Sequence, residues 1–299
     1  MDRLQTMSIF VAVAEEAGFS AAARRLHMSA PSVTRAVGEL EARLRARLLH
    51  RTTRTVRLTD AGERYLADCR RIIAEIDEAD GHAAGVHAAP RGTVSVTGSA
   101  LFGRIVLTPI LVDLLDSYPE ISINSFFVDR VVNLIDEGFD IAVRIAELPD
   151  SSLAAVRVGS VSRVLCAAPD YLATASKLET PGDLAGHDTI DFINIMPRDE
   201  WVFERDGKSQ TYKTRSRLRA NNADVAIAAA VAGRGITRVL SYMVAPQLES
   251  GALEIVLPEF TPPAVPVHIV HKEPGQTSGR VRAVVDYLAE RLRQAPALS

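Results

Sequence analysis

The chain has little of several residues that would have decided its class at once. Only Cys69 and Cys166 are cysteines among 299 residues. Neither lies in a Cys-x-x-Cys or His-spaced pattern, which argues against a disulfide framework and a metal site and leaves two reduced, packed thiols as the expectation. Lysine is nearly absent, with Lys177, Lys208, Lys213 and Lys272 the whole complement. Arginine therefore stands wherever a cation is needed, and only its clustering is informative. No apolar run approaches the roughly 20 residues of a membrane span. The apolar stretch at residues 9–14 is cut short by Glu15 and Glu16, so it does not read as a secretory signal and a cytoplasmic protein is expected. Internal repeats are lacking too. What remains is ordinary globular composition, 47% hydrophobic and 24% charged with a net charge of −3, over a length that calls for two or three domains.

The charge is not spread evenly. Between residues 20 and 58 stand Arg24, Arg25, Arg35, Arg43, Arg45, Arg47, Arg51, Arg54 and Arg57, against only Glu39 and Glu41. A basic module on an otherwise acidic chain is the footprint of a partner with a phosphate backbone. Residues 19–44 read as two short helices joined by a tight turn. Ser20 is placed to cap the first, over residues 21–26, whose alanines allow another helix close approach. Ser29 caps the second, Pro31 fits its first turn, and Val33, Val37, Leu40 and Leu44 share one face. The other face offers Ala30, Pro31, Ser32, Thr34 and Arg35 to base edges and phosphates. The β-prone stretch that follows spaces Arg51, Arg54 and Arg57 by threes among threonines, as a phosphate-gripping wing would. An ordinary helical hairpin is the alternative for the first two helices alone.

The ordered series of Ala-rich helix, Ser-x-x-x-Val-Thr-Arg helix, Leu-Glu-Ala-Arg-Leu, Leu-Leu-His-Arg-Thr-Thr-Arg and Leu58-Thr59-Asp60-Ala61-Gly62 resembles the LysR-type transcriptional regulators. The resemblance runs along the chain through Tyr118-Pro119-Glu120-Ile121, Gly138-Phe139-Asp140-Ile141-Ala142-Val143-Arg144, Ala232-Gly233-Arg234-Gly235-Ile236 and Ser250-Gly251-Ala252-Leu253. Two positions depart from the family pattern, Arg45 where Gly is frequent and Leu49 where Phe is. If Arg45 must take φ > 0 at the helix end, it carries about 1 kcal/mol of strain that Gly would avoid.

Residues 60–84 form a long helical stretch on which Tyr65, Cys69, Ile72, Ile76, Ala79 and Ala83 alternate by fours and threes. Such a seam suits pairing with a twin helix, the alternative being a helix that lies on its own domain. Gly81, Gly85, Pro90 and Gly92 end it and mark a domain boundary. Beyond it the pattern is α/β: strands at 93–97, 121–128 and 139–145 alternate with helices at 107–114 and 131–137, which implies a parallel sheet with helices on its faces. A second series starts at residue 163, passes an Asp206-Gly207 hairpin turn, and has a helix at 223–232 and a strand at 236–240. A strand at 265–271 and a helix at 280–293 complete the chain. The family resemblance implies that these last two elements return to the first lobe, as in periplasmic binding proteins. The expected organisation is thus a winged helix-turn-helix at 1–58, a linker and dimerisation helix at 59–90, lobe 1 from 91–162 with 266–299, and lobe 2 from 163–265.

Enzyme signatures are fragmentary. Ser99 lacks the second Gly of a nucleophile elbow, Gly233-Arg234-Gly235 lacks the third Gly of a dinucleotide fingerprint, and His268 and His271 alternate on a strand. No cofactor or metal is expected. A ligand-independent DNA architectural protein is a second alternative, but it would not need more than 200 residues of α/β scaffold. The reading is a regulator that binds double-stranded DNA as a homodimer or homotetramer and answers to a small effector. In open α/β sheets ligands sit beyond the carboxyl ends of strands, which here carry Ser99 and Ala100 after the first strand and Arg144 at the end of the third. A hydroxyl, helix N-terminal amides and a forked cation favour a small anion such as a carboxylate. The alternative is that Ser99 merely caps its helix and that Arg144 pairs with Asp129 or Asp140. From the second lobe, the family resemblance places Phe192, Asn194 and Thr237 across the cleft.

Overall fold

A computed structural model of the chain describes residues 2–51, 56–83, 90–193, 200–272 and 278–298. It divides into two compact units, Met1–Ala89 and Pro90–Ser299.

The first unit contains α1 (Arg3–Glu15), α2 (Phe19–Arg25), α3 (Ala30–Leu44), β1 (Leu49–Arg51), β2 (Val56–Leu58) and α4 (Asp60–Ala83). Its core is built where α2 and α3 cross. Ala22 and Ala23 are small enough for α3 to come close, and Val33, Val37 and Leu40 meet them and Phe10 of α1 without exposure. Ser29 caps α3 by accepting from Ser32 N at 3.3 Å, and Pro31 occupies its first turn. The helix ends on Arg45, which adopts the left-handed conformation at φ 51°, ψ 34°. Strands β1 and β2 pair antiparallel, Leu49 against Leu58 and Arg51 against Val56, and form a wing. Thr59 then caps α4: its hydroxyl accepts from Gly62 N at 3.0 Å and donates to Arg47 O at 2.7 Å. Gly62 is required there, because a Cβ would overlap the Leu48 carbonyl. One expectation needs correcting. The second helix begins at Phe19 with Gly18 at its N-cap, so Ser20 lies exposed inside the first turn and caps nothing.

The second unit carries two five-stranded sheets. The first uses β3 (Gly92–Gly98), β4 (Ile121–Phe127), β5 (Ile141–Ile145), β6 (Leu153–Val161) and the late strand β14 (Val265–Lys272), in the order β4-β3-β5-β14-β6. The second uses β7 (Arg163–Ala167), β8 (Thr189–Phe192), β11 (Ser216–Ala220), β12 (Ile236–Leu240) and β13 (Glu254–Val256), in the order β11-β8-β12-β7-β13. Between β8 and β11 the hairpin β9 (Glu200–Arg205) and β10 (Lys208–Lys213) turns on Asp206 and Gly207, both at positive φ as a tight two-residue turn requires. Neither sheet is purely parallel. β14 runs against β5 and β6, and β7 against β12 and β13, because strands that cross between the lobes enter each sheet from the opposite end.

Helices cover these sheets through apolar stripes. From Ser99 onward Ala100–Phe102, a π-helical turn at Gly103–Leu107 and Thr108–Ser117 follow without a break. At the end of the chain Gly279–Arg293 is capped by Ser278 and buries Val281, Val284, Val285, Leu288 and Leu292. The expected helix at 131–137 is absent. That segment forms turns in which Val132 and Leu134 are buried while Val131 is 91% and Ile135 57% exposed.

Candidate DNA interface and ligand cleft

On α3 the buried stripe of Val33, Ala36, Val37 and Leu40 leaves Pro31, Thr34 and Arg35 in solvent, with Ala30 and Ser32 partly covered. Thr34 Oγ1 donates to Ala30 O at 2.9 Å and Ser32 Oγ lies 2.8 Å from Ser29 Oγ, so both hydroxyls hold local bonds. The arginines divide by what they touch. Arg25 pairs with Glu15 at 2.7 Å and Glu16 at 3.3 Å, while Arg70 of α4 takes the other oxygen of Glu15 at 2.9 Å. Burial raises the Glu15 pKa, but the two guanidiniums outweigh it and hold the carboxyl below its ordinary value. Arg24, Arg35, Arg43, Arg45, Arg47 and Arg57 make no ion pair among the described residues. A protein that leaves six cations unneutralised on one small unit presents the charge that releases counterions from a nucleic acid backbone. Arg54 lies outside the described residues, as does the Arg51 side chain.

Glu41 was not legible as a functional residue. Its Oε1 accepts from Leu48 N at 2.9 Å and Leu49 N at 3.1 Å, which ties the root of the wing to the recognition helix.

The expected dimer seam needs correction in its first half. Cys69 has no exposure, Tyr65 packs against Phe10 with ring centroids 5.7 Å apart, and Ile72 lies against the same core. These residues face their own domain, and burial pushes the Cys69 thiol up to about 11. A four-three apolar stripe reads alike whether it meets α1 of its own chain or a twin. Ile76 is half-buried outside that core, and the Ala79 side chain is outside the described residues.

In the second unit a cavity of about 450 Å³ is walled by residues of both sheets. Ser99, Asp129 and Arg144 come from the first, and Phe192, Leu240 and Met243 from the second and its exit. The size suits a small metabolite. Arg144 Nη2 donates to Val132 O at 2.8 Å, and among the described residues it forms no ion pair with Asp129 or Asp140. Ser99 makes no side-chain capping bond. Two of the expected ligands are placed otherwise. Ala100 is not on the wall, and its N–H is given to Asp129 Oδ1 at 2.9 Å. Thr237 is buried in the second sheet, where its hydroxyl donates to Ile190 O at 3.0 Å, and it does not reach the wall either. Its strand position suited the cleft, but its side chain serves the neighbouring strand. Asn194 lies outside the described residues.

No group of three or more His, Cys, Asp or Glu among the described residues is placed to hold a metal ion, and no described helix is long and apolar enough to cross a membrane.

Family models match in two blocks. Residues 4–63 fit the bacterial regulatory helix-turn-helix of the LysR family, and residues 87–293 fit the LysR substrate binding domain. The chain is 32% identical over 291 residues to the HTH-type transcriptional activator AaeR of Escherichia coli K12, covering 97% of this chain and 94% of that one. It is also 32% identical over 298 residues to an HTH-type transcriptional repressor of Pseudomonas aeruginosa UCBPP-PA14, covering 99% and 94%. Among solved structures, CrgA of Neisseria meningitidis, a LysR-type transcriptional regulator, matches at 30% identity and a TM-score of 0.62 over 96% of this chain and 98% of that one. The Vibrio cholerae virulence activator AphB shares the fold at 23% identity and a TM-score of 0.60 over 97% and 99%. These relatives are regulators and not enzymes. The capped recognition helix, the wing, the unpaired arginines and the two-sheet cleft agree with them: the chain belongs to the LysR family and is a DNA-binding transcriptional regulator with an effector-binding domain.

Proposed function

We propose that the protein reads a specific operator through the exposed face of α3, with Ser32, Thr34 and Arg35 toward base edges and Arg51 and Arg54 toward phosphates, and that a small carboxylate in the two-sheet cavity sets its activity. The observation that carries the effector half is the cavity wall, where Arg144 and Ser99 of one sheet stand with Phe192 of the other. A forked cation beside aliphatic walls fits a carboxylate on a short carbon skeleton. Closure of the two lobes about such a ligand is a change that can bias the DNA-binding state. The protein acts as a homodimer or homotetramer, since two recognition helices are needed to read two half-sites, and its place is in the cytoplasm with the DNA. The part of α4 from Ile76 onward is the proposed pairing segment, as its first half is spent on its own domain.

Genomic binding-site mapping identifies the operators, and the neighbouring genes nominate carboxylates for calorimetry. Arg144→Ala should keep operator affinity and lose the effector response. An Arg144→Ala protein that binds the effector with wild-type affinity refutes the carboxylate site.

A further inference from the structure

The cavity wall carries a carboxylate of its own. Asp129 follows β4, and its Oδ1 accepts the Ala100 N–H at 2.9 Å. An incoming anion therefore finds that amide already answered by a negative charge. Of the other ionic groups on the wall, Arg130 is held by Glu137 through two hydrogen bonds, and Glu147 is exposed. Arg144 spends one of its donors on Val132 O. With Arg130 tied to Glu137 and Glu147 exposed, Arg144 and Asp129 are the cation and the carboxylate left to meet a ligand inside the cavity, which is a poor match for a bare monoanion and a good one for a ligand with two different ends.

One hydroxyl on the wall extends the acceptor end. Ser99 Oγ and Tyr242 Oη are both enclosed and lie side by side, and of the two residues only Ser99 lines the cavity. Tyr242 is 4% exposed and stands edge-on to Phe102 at 5.3 Å, so its position is fixed. Burial drives its phenol well above the ordinary value, with the charge of Asp129 acting in the same sense and Ser99 against it. The hydroxyl stays protonated and able to donate or accept. Ser99 lies on the cavity wall with Tyr242 behind it, so the Ser99 side chain belongs to the acceptor end of the site. Aliphatic side chains, among them Val128, Val143 and Leu240, line the same cavity.

We infer that the effector is a carboxylate bearing a hydrogen-bond donor, hydroxyl or ammonium, at its far end: the carboxylate meets Arg144, and the donor meets Asp129 with Ser99 beside it. This rests on the reading of the cavity as the effector site. The test is calorimetry on the full-length protein with butyrate, 4-hydroxybutyrate and 4-aminobutyrate, and with cyclohexanecarboxylate and its 4-hydroxy and 4-amino derivatives. The donor-bearing members should bind at least about tenfold tighter than their parents. Asp129→Asn keeps an oxygen for Ala100 N–H while removing the charge, and it should abolish that advantage for the ammonium compounds and strengthen the parents. Asp129→Ser serves as a second uncharged variant if the Asn protein fails to fold. Equal binding of parents and derivatives, indifference to both Asp129 variants, or no binding of any donor-bearing member at roughly 10 mM overturns the inference. Val128→Trp separates the two readings. Ligands that still bind this filled cavity refute the site itself, whereas ligands lost from it but indifferent to Asp129 refute only the donor end.

Discussion

Removing the carboxylate of Glu41 tests whether the wing is anchored to the recognition helix or merely lies beside it. Its single Oε1 takes two backbone amides, those of Leu48 and Leu49, whose residues are each 1% exposed. Each bond to an ionised acceptor contributes about 1.5 to 3 kcal/mol when its loss strands a buried donor. Glu41 is only partly buried, and water reaching the gap recovers part of that, so Glu41→Ala should cost about 2 kcal/mol in total. For a unit of this size that lowers the unfolding midpoint of the DNA-binding region by roughly 8 to 16 °C. Glu41→Gln keeps an oxygen for both amides and should lose less than half as much. The assay is thermal unfolding followed by a probe in the first unit, with operator affinity measured alongside. With the wing assigned to phosphates in the proposed reading, the Ala variant should bind all duplexes more weakly without a change in preference. Equal midpoints for the wild type, Gln and Ala proteins would refute the anchoring argument.

Other outcomes follow from the same geometry. Arg45→Gly relieves a left-handed residue at φ 51° and should stabilise the first unit by about 0.5 to 1 kcal/mol in urea unfolding, while Arg45→Ala should not. Ile76→Glu should shift the protein toward monomer in light scattering with the first unit still folded, whereas Cys69→Ser should destabilise that unit and leave the oligomer unchanged. Since the Glu15 carboxyl is held below its ordinary value of 4.5, its tie to Arg25 and Arg70 is fully present above that pH and is lost as pH falls through the lowered value. Glu15→Gln should flatten that part of the acid-unfolding profile.

The recognition helix was legible because its signals are local: the Ser29 cap, Pro31 and a 3.6-residue apolar period lie within fifteen residues. Arg45 stands out through the family resemblance, as a residue strained if it takes φ > 0 where Gly is frequent, and it is left-handed. Glu41 was not legible, since its partners lie seven and eight residues on, across a turn whose path sequence alone does not give. The segment at 131–137 misled because four apolar residues in five positions resemble a helix face, yet only alternate ones, Val132 and Leu134, turn inward. The cleft was legible in outline from strand ends, which placed Ser99 and Arg144 on its wall. In the sequence Asp129 reads only as an alternative partner of Arg144 and Tyr242 does not stand out, because they come to Ala100 and Ser99 across 29 and 143 positions, a proximity set by sheet order and not by spacing.

The exposed face of α3 as the sequence reader is tested most directly by fluorescence anisotropy on a mapped operator and a scrambled duplex at one salt concentration. Arg35→Ala should lose about 1 to 3 kcal/mol on the operator, roughly 5- to 150-fold, and little on the scrambled duplex, whereas Arg54→Ala should weaken both alike. An Arg35→Ala protein with the wild-type ratio of the two affinities would contradict the account.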